Sequence, residues 1–336
     1  MAQTEAETLK ADRAPEQGRL GVRRTAISGV RAVQTYGIVV LFVVLFALLS
    51  VVAPNFLSAT NLLNIVAENA PLGITACGMT LVIISGGFDL SVGAVFALAG
   101  VISAWLAIRY GVTLGLLLGM LLGPALGFLN AAAILGFRVH SFLATLASQI
   151  VYRALAVMIS GGFYLEVADP NFSVIGRGSI GPVNYEIIFF AVTAALLGFV
   201  LAGTTFGRNI YAVGGNLEAA RLSGVRIHMV RMAAFAICSF TAAIAGVLTI
   251  SQIGQGDSGQ GVGLELQAIA AVVLGGTSIL GGVGAVWRTL FGVGILALIH
   301  NGFNLLNTPS YFQDMVTGAL ILAAIAINAV GSRGRY

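Results

Sequence analysis

The residues that could do chemistry are few, and most of them interrupt apolar runs. Ser85-Gly86-Gly87-Phe88-Asp89-Leu90-Ser91-Val92-Gly93 holds one carboxylate between two hydroxyls in a glycine-rich stretch. Asn130, Thr145, Gln149, Arg153, Gln267, Asn301 and Asn304 place further polar groups in otherwise apolar segments. Taken singly, such amides and hydroxyls serve interhelical hydrogen bonds of about 0.6 kcal/mol. Taken together, Asp89, Ser91, Asn130, Thr145, Gln149, Gln267, Asn301 and Asn304 would suit the passage of a hydroxyl-rich solute. Arg153 reads as the partner of a buried carboxylate or as a side chain snorkelling to the outer interface. Catalytic machinery is not expected: the chain has no paired intramembrane Asp, no His-Glu metal motif and no Ser-His pairing. His140, His228 and His300 are too scattered for a metal site or a proton relay, and Cys77 and Cys238 lack metal-ligand spacing.

A second cluster lies in the polar loop from Gly203 to Met229, which contains Gly214, Gly215, Asn216, Leu217, Glu218, Ala219, Ala220, Arg221, Leu222 and Gly224. Its grammar is that of a short helix. Asn216 is a good N-cap, Glu218 suits the first turn, Arg221 lies later, and Gly224 can end the helix in a left-handed conformation. Leu217, Ala220 and Leu222 offer too little apolar surface for a membrane span. A helix held parallel to the membrane between two spans is a handle for a cytosolic partner.

The elements that must position these groups follow from composition. Of 336 residues, 58% are hydrophobic and 9% charged, with 44 Gly, and the mean hydropathy is +0.96. Those values exclude a water-soluble enzyme. Apolar stretches able to cross about 30 Å of hydrocarbon lie near 36–52, 70–85, 90–108, 113–135, 141–160, 186–202, 230–252, 264–281, 285–305 and 312–330. Continuous runs of this length are not the alternating strands of an outer-membrane barrel. The expected fold is therefore all-α, a polytopic bundle of about ten transmembrane helices, with Gly and Ala permitting close helix packing. Residues 1–35 read as a basic cytoplasmic tail, 36–330 as the transmembrane unit and 331–336 as a second short tail. With the N-terminus inside, 14 of the 17 basic residues fall on one side, while Arg109 and Arg177 fall outside and Arg153 lies within a span. Both termini are thus expected to be cytoplasmic. The loop 161–186, with Glu166 and Asp169, and the loop 252–263, with Asp257, fall outside.

Two segments break the pattern. The run before Ser85 is too short to span, so either its helix starts earlier, around Val66, or the glycine turn brings Asp89 toward the membrane interior. A carboxylate at mid-span costs about 2.5 to 3.5 kcal/mol on insertion scales. Likewise Leu264 to Leu274 runs into Gly275-Gly276-Thr277-Ser278-Ile279-Leu280-Gly281-Gly282. Short, glycine-interrupted apolar segments in both halves point to a transport pathway.

Four strings in order, GGFDLSVG, YAVGGNLEAARLSGV, LELQAIAAVVLGGTSILGGVGAV and NGFNLL, resemble the ribose-type permease subunits of bacterial ABC importers over about residues 36 to 330. Members serve ribose, xylose, arabinose, galactose and related solutes. The resemblance implies a multi-pass protein of the bacterial inner membrane that is no enzyme itself. It also implies a second permease subunit, identical or not, ATPase subunits that bind ATP and Mg on the cytoplasmic side, and a periplasmic sugar-binding protein. Asn216 to Gly224 would form the coupling helix, Asp89, Ser91 and the later polar residues would lie at or near the path, and Glu166, Asp169 and Asp257 would face the binding protein. Arg288 replaces a glycine common in the family, which argues against close helix contact there. The residues themselves agree on one point. A P-loop ends in Lys followed by Ser or Thr, whereas the only lysine here is Lys10, followed by Ala11, so an ATP motor must be another polypeptide. Membrane lipid is an expected partner and nucleic acid is not. The rival reading is an ion-coupled secondary carrier in which Asp89 couples a proton or sodium ion.

Overall fold

The computed structural model describes residues 37–309, 311–313, 315–319 and 322. The expected tails 1–35 and 331–336, together with Asp314 and much of the stretch 312–330, lie outside the described residues. The described chain is mostly helical. Helix α1 is Gly37–Val52; α2 (Ala59–Glu68), α3 (Ala70–Ile84), α4 (Val92–Tyr110), α5 (Val112–Phe137) and α6 (Ser141–Ser160) follow. After strand β1 (Leu165–Glu166), a short helix α7 (Val174–Arg177) and the hairpin β2 (Ser179–Ile180) and β3 (Val183–Asn184), the chain forms α8 (Tyr185–Gly203), α9 (Thr205–Gly215), α10 (Leu217–Leu222) and α11 (Ile227–Ile253). Strand β4 (Gln255–Gly256), α12 (Leu264–Leu274) and α13 (Val286–Leu305) complete the order, and residues 311–313 and 315–319 are again helical.

Six helices, α4, α5, α6, α8, α11 and α13, are each long and apolar enough to cross a membrane. Helices α2 and α3 meet that test together, as one element bent by 47°. The short run before Ser85 therefore starts earlier than its apolar core, as one of the two sequence readings required. The bend falls at Asn69, whose side-chain amide donates to the Ile65 carbonyl at 2.9 Å and so occupies an acceptor near the end of α2. Helices α1 and α12 are apolar but shorter. Helix α12 ends at Leu274, where the glycine run begins, so residues 275–285 leave the helical path.

Helix α11 is the axis of the packing, and glycines let its neighbours reach it. On α11 itself, a methyl group added to Gly246 would overlap the carbonyl of Phe96 in α4. Gly123 and Gly127 of α5 sit against the backbone around Ser239 and Phe235, and Gly78 of α3 against Cys238 and Thr241. Without a hydrophobic effect between helices, backbone approach of this kind is what holds them. Both cysteines are free and buried in this layer. By contrast α6 and α8 bury little of their surface and leave Leu143, Ile150, Leu196 and Phe199 exposed. Helix α1 packs on α13 through Leu49 and Leu298, with the Phe42 ring edge-on to Phe291 at 5.4 Å.

Gly246→Ala is expected to destabilise the protein by about 1 to 3 kcal/mol through overpacking. Gly136→Ala, at an α5 position with nothing within 4 Å, should be neutral or stabilising. Melting temperatures of the two purified variants in detergent check the contrast.

Candidate functional site

The turn between α3 and α4 brings Asp89 into the protein interior. Its carboxylate is fully buried and accepts from the Ser91 hydroxyl at 2.6 Å, the Ser91 amide at 3.0 Å and the Ser239 hydroxyl at 3.4 Å. Ser239 is the thirteenth of the 27 residues of α11, so the carboxylate stands at the middle of the longest helix. The earlier helix start and the inward glycine turn, set as alternatives by the sequence, therefore occur together. The Asn130 amide donates to Ser91 at 2.7 Å, and the Tyr152 hydroxyl donates to the Asn130 carbonyl oxygen at 3.0 Å. The exposed backbone of the turn is covered in the same way: Ser141 accepts from the Phe88 amide and Thr145 from the Leu90 amide, each at 3.0 Å. Asp89, Ser91, Asn130 and Thr145 are thus one network, all buried.

A second stretch of non-helical backbone, 257–263, leads from β4 into α12. Arg153 is its partner. The guanidinium donates to the carbonyls of Ser258 and Gln260, each at 2.6 Å, and to Gly93 at 3.0 Å. It satisfies three carbonyls, where the sequence pointed to a carboxylate or the outer interface; the charges of Glu265 and Asp257 lie near it. Gln149 stands apart from the Asp89 network and donates to Glu265 at 2.8 Å. Glu265 is only 7% exposed, and its other oxygen abuts Gly93. Sequence reasoning passed over Glu265 because it sits one residue into a short apolar helix. An acid in the first turn of α12 was the available signal. Gln149 and Arg153 also line an open groove of about 710 Å³ along the exposed face of α6.

The third break, 275–285, meets both the first break and the polar loop. The Gly282 amide donates to the Ile84 carbonyl at 2.8 Å. Gly214 is wedged between the same carbonyl and Gly282, so closely that a methyl group there would overlap the Ile84 oxygen. A methyl on Gly281 would meet the Gly214 carbonyl at 2.9 Å and Gly86 at 3.1 Å. The Tyr211 hydroxyl donates to the Gly284 carbonyl at 2.8 Å. Gly214 and Gly215 belong to the last turn of α9, a helix the sequence reading left as loop. Beyond them the expected short helix is present as α10. Asn216 accepts from the Ala219 amide at 2.9 Å, Ala220 is buried, and Gly224 follows at φ 79°. Glu218 and Arg221 form an exposed ion pair at 3.9 Å, beside Leu217 and Leu222, which are also exposed. Arg288 does not loosen its surroundings. The close contact with Gly275 is made by the Arg288 carbonyl, while its side chain turns to the Trp287 ring at 5.4 Å.

At the opposite end, β1 pairs antiparallel with β4, with Glu166 opposite Gln255. The loops carrying Glu166 and Asp257 are therefore one surface. Glu166 is exposed; Asp169 caps the following turn through the Asn171 amide at 2.9 Å; Asp257 is partly buried and accepts from Gly259 at 2.8 Å and Gln260 at 3.0 Å in its own loop. The remaining polar positions are dispersed. Gln267 lines a half-open cavity, Asn301 exchanges hydrogen bonds with Asn61 at 2.8 and 3.1 Å, and Asn304 accepts from Gln313 at 2.9 Å. Among the described residues no group of three or more metal-ligating side chains occurs.

Removing the centre of the Asp89 network, as in Asn130→Leu, takes a donor from Ser91 and an acceptor from Tyr152, whose hydroxyls keep Asp89 and the Leu126 carbonyl at 3.2 Å, and is expected to cost about 1 kcal/mol. Tyr152→Phe removes one terminal bond and should cost about 0.6 kcal/mol. Denaturation of both variants in mixed micelles measures the difference.

Comparison with known proteins places this arrangement. The family described as branched-chain amino acid transport system/permease component matches residues 61–325. The L-arabinose ABC transporter permease protein AraH of Azospirillum brasilense is 36% identical over 290 residues, covering 86% of either chain. The ribose import permease protein RbsC of Escherichia coli is 35% identical over 291 residues, 85% of this chain and 90% of that one. RbsC of Bacillus subtilis is 37% identical over 289 residues, 85% and 89% of the two chains. No solved structure matches. With the family covering most of the length, and relatives that are themselves importer permeases aligned nearly end to end, this chain belongs to the permease-component family of ABC transport systems.

Proposed function

We propose that the chain forms the translocation path of an ABC importer for a monosaccharide or related polyol-like solute. The observation that carries this reading is the join at Gly214. A short exposed helix suited to an ATPase groove, α10, is continuous with a glycine packed on two helix breaks. Force applied to α10 therefore reaches the end of α3 and the 275–285 turn through backbone contacts, with no flexible side chain between.

On this reading the chain crosses the bacterial inner membrane ten times with both termini cytoplasmic, as the charge distribution supports. Asn216 to Gly224 seat in an ATPase subunit that binds ATP and Mg. A second permease subunit completes the path, as the importer reading requires. Gln149, Gln267 and the surroundings of the Asp89 network flank the route. The β1–β4 ribbon with Glu166, and nearby Asp169 and Asp257, receives the periplasmic binding protein. ATP-driven closure of the motor tilts each bundle and alternates access to the path. The sugar class is supported by the arabinose and ribose permeases aligned above, although the family description names branched-chain amino acids.

The test is purification of the tagged chain from its native membrane in mild detergent, followed by import assays on the recovered complex in proteoliposomes. A stoichiometric P-loop ATPase should co-purify and be lost when Glu218 and Arg221 are both changed to Ala. Gly214→Ala should retain the ATPase yet lower import at least tenfold. Ribose, arabinose, xylose or galactose should be imported and leucine should not. Import that survives ATP depletion with the ion gradient intact, or import of leucine alone, would contradict the proposal.

A further inference from the structure

The chain has two tryptophans, Trp105 and Trp287, and each stands near the end of a helix long and apolar enough to cross a membrane. Each also carries an arginine over its ring. Arg109, in the last turn of α4, lies 4.1 Å from the centre of the Trp105 ring, and Arg288, in the first turn of α13, lies 5.4 Å from that of Trp287. The two cations differ in what satisfies them. Arg109 is at a helix C-terminus, where free carbonyls favour positive charge, whereas Arg288 is at the opposite end, where the helix dipole adds to its own charge. Among the described residues no carboxylate comes within ion-pair reach of Arg288. Its Nε is buried without a hydrogen-bond partner, which leaves the two terminal nitrogens as the donors able to reach a ligand.

The surroundings of Arg288 indicate what the missing anion is. Phe42 of α1 lies against Phe291, whose ring is in turn edge-on to Trp287 at 6.1 Å. Phe42 also covers Gly294, and Leu49 covers Gly302, so α1 and α13 run parallel and begin at the same end of the molecule. The sequence entering α1 at that end is basic: residues 17–36 hold Arg19, Arg23, Arg24 and Arg31 and no Asp or Glu. A basic run leading into a membrane helix is drawn to anionic headgroups. The surface beside it is of the kind that faces lipid. Val40, Val43 and Val44 of α1 are exposed, and Trp287 is 42% exposed, at the helix end where an indole sits at headgroup level.

We infer that Arg288 and Trp287 hold the headgroup phosphate of an anionic phospholipid at the start of α13, beside the basic entry to α1. The guanidinium donates to the phosphate oxygens in a charge-assisted contact, and the indole lies at the boundary between headgroup and acyl chain. The inference requires only that α13 cross the membrane, and it stands or falls apart from the solute and the motor of the importer. The lipid so held adjoins the third helix break, because the Arg288 carbonyl packs on Gly275.

The test uses the full chain in phospholipid vesicles, with tryptophan fluorescence as the reporter. Trp105→Phe leaves Trp287 as the sole tryptophan, and Trp287→Phe leaves Trp105. Each is titrated with acyl-brominated phosphatidylglycerol and with acyl-brominated phosphatidylcholine, which quench a tryptophan they touch. The ratio of the two is read within one variant, so a loss of fold lowers both together and does not imitate the expected result. Phosphatidylglycerol should be preferred at Trp287 by about fivefold, as for one basic side chain at an anionic surface, and Trp105 should show no such preference. Arg288→Gln in the Trp105→Phe chain should abolish the preference, and Arg288→Lys should retain most of it. Equal quenching by the two lipids at Trp287, an equal preference at Trp105, or a preference that Arg288→Gln leaves intact would overturn the site; the last would assign the attraction to the basic run alone. A preference lost when inorganic phosphate replaces chloride at equal ionic strength would mean that a free phosphate ion occupies Arg288, and would overturn it as well.

Discussion

Backbone that leaves a helix at membrane depth must find its hydrogen-bond partners in protein, because hydrocarbon offers none. This chain leaves the helix at three breaks inside its packed bundle, and the way each is satisfied organises the rest. The 85–91 turn is covered by hydroxyls and an amide from α5, α6 and α11. The 257–263 segment is covered by the guanidinium of Arg153. The 275–285 run is covered by the carbonyl of Ile84 and the phenol of Tyr211. The polar residues inside the bundle therefore have an architectural task first, and Asp89 is its clearest case: a buried acid whose oxygens face hydroxyls and an amide and, among the described residues, no cation.

That arrangement has a mechanical consequence. A break patched by side chains can slide as rotamers change, whereas one patched by direct glycine contact between backbones moves with whatever touches it. The third break uses the second method, and the element touching it is the one that leads into α10. The break farther from the polar loop, 257–263, combines the two: Gly261 packs directly on Gly93, and Arg153 of α6 binds the carbonyls on either side of that contact.

Much of this is legible in the amino-acid sequence. Long apolar runs mark the class of fold, since they depend on bulk transfer energetics that act residue by residue. The grammar around Asn216 and Gly224 located α10, because capping is local. What stayed hidden depended on contacts between distant segments. Nothing near Arg153 in sequence says that it faces the carbonyls of residues more than a hundred positions away, and Glu265 resembles an ordinary first-turn acid. Helix α9 was hidden by its own composition: Gly207, Gly214 and Gly215 are weak helix formers, and the segment is helical because Ile210 and Val213 are buried against the bundle. Nor does the sequence show that an earlier helix start and an inward Asp89 turn occur together; the contact with Ser239 does.

The claim on which the account stands is that α10, Gly214 and the two glycine turns move as one body. It is tested most directly by spin labels at Leu222→Cys and Leu280→Cys in the assembled importer, both exposed positions, with the native cysteines buried. Pulsed electron paramagnetic resonance then gives the distance within one chain and the distance between Leu222→Cys labels of paired permeases, with and without ATP. The account predicts an intrachain distance that is unchanged by ATP while the distance between permeases shifts. An intrachain distance that changes with ATP would contradict it, because the coupling segment would then be moving against the helix breaks and not with them.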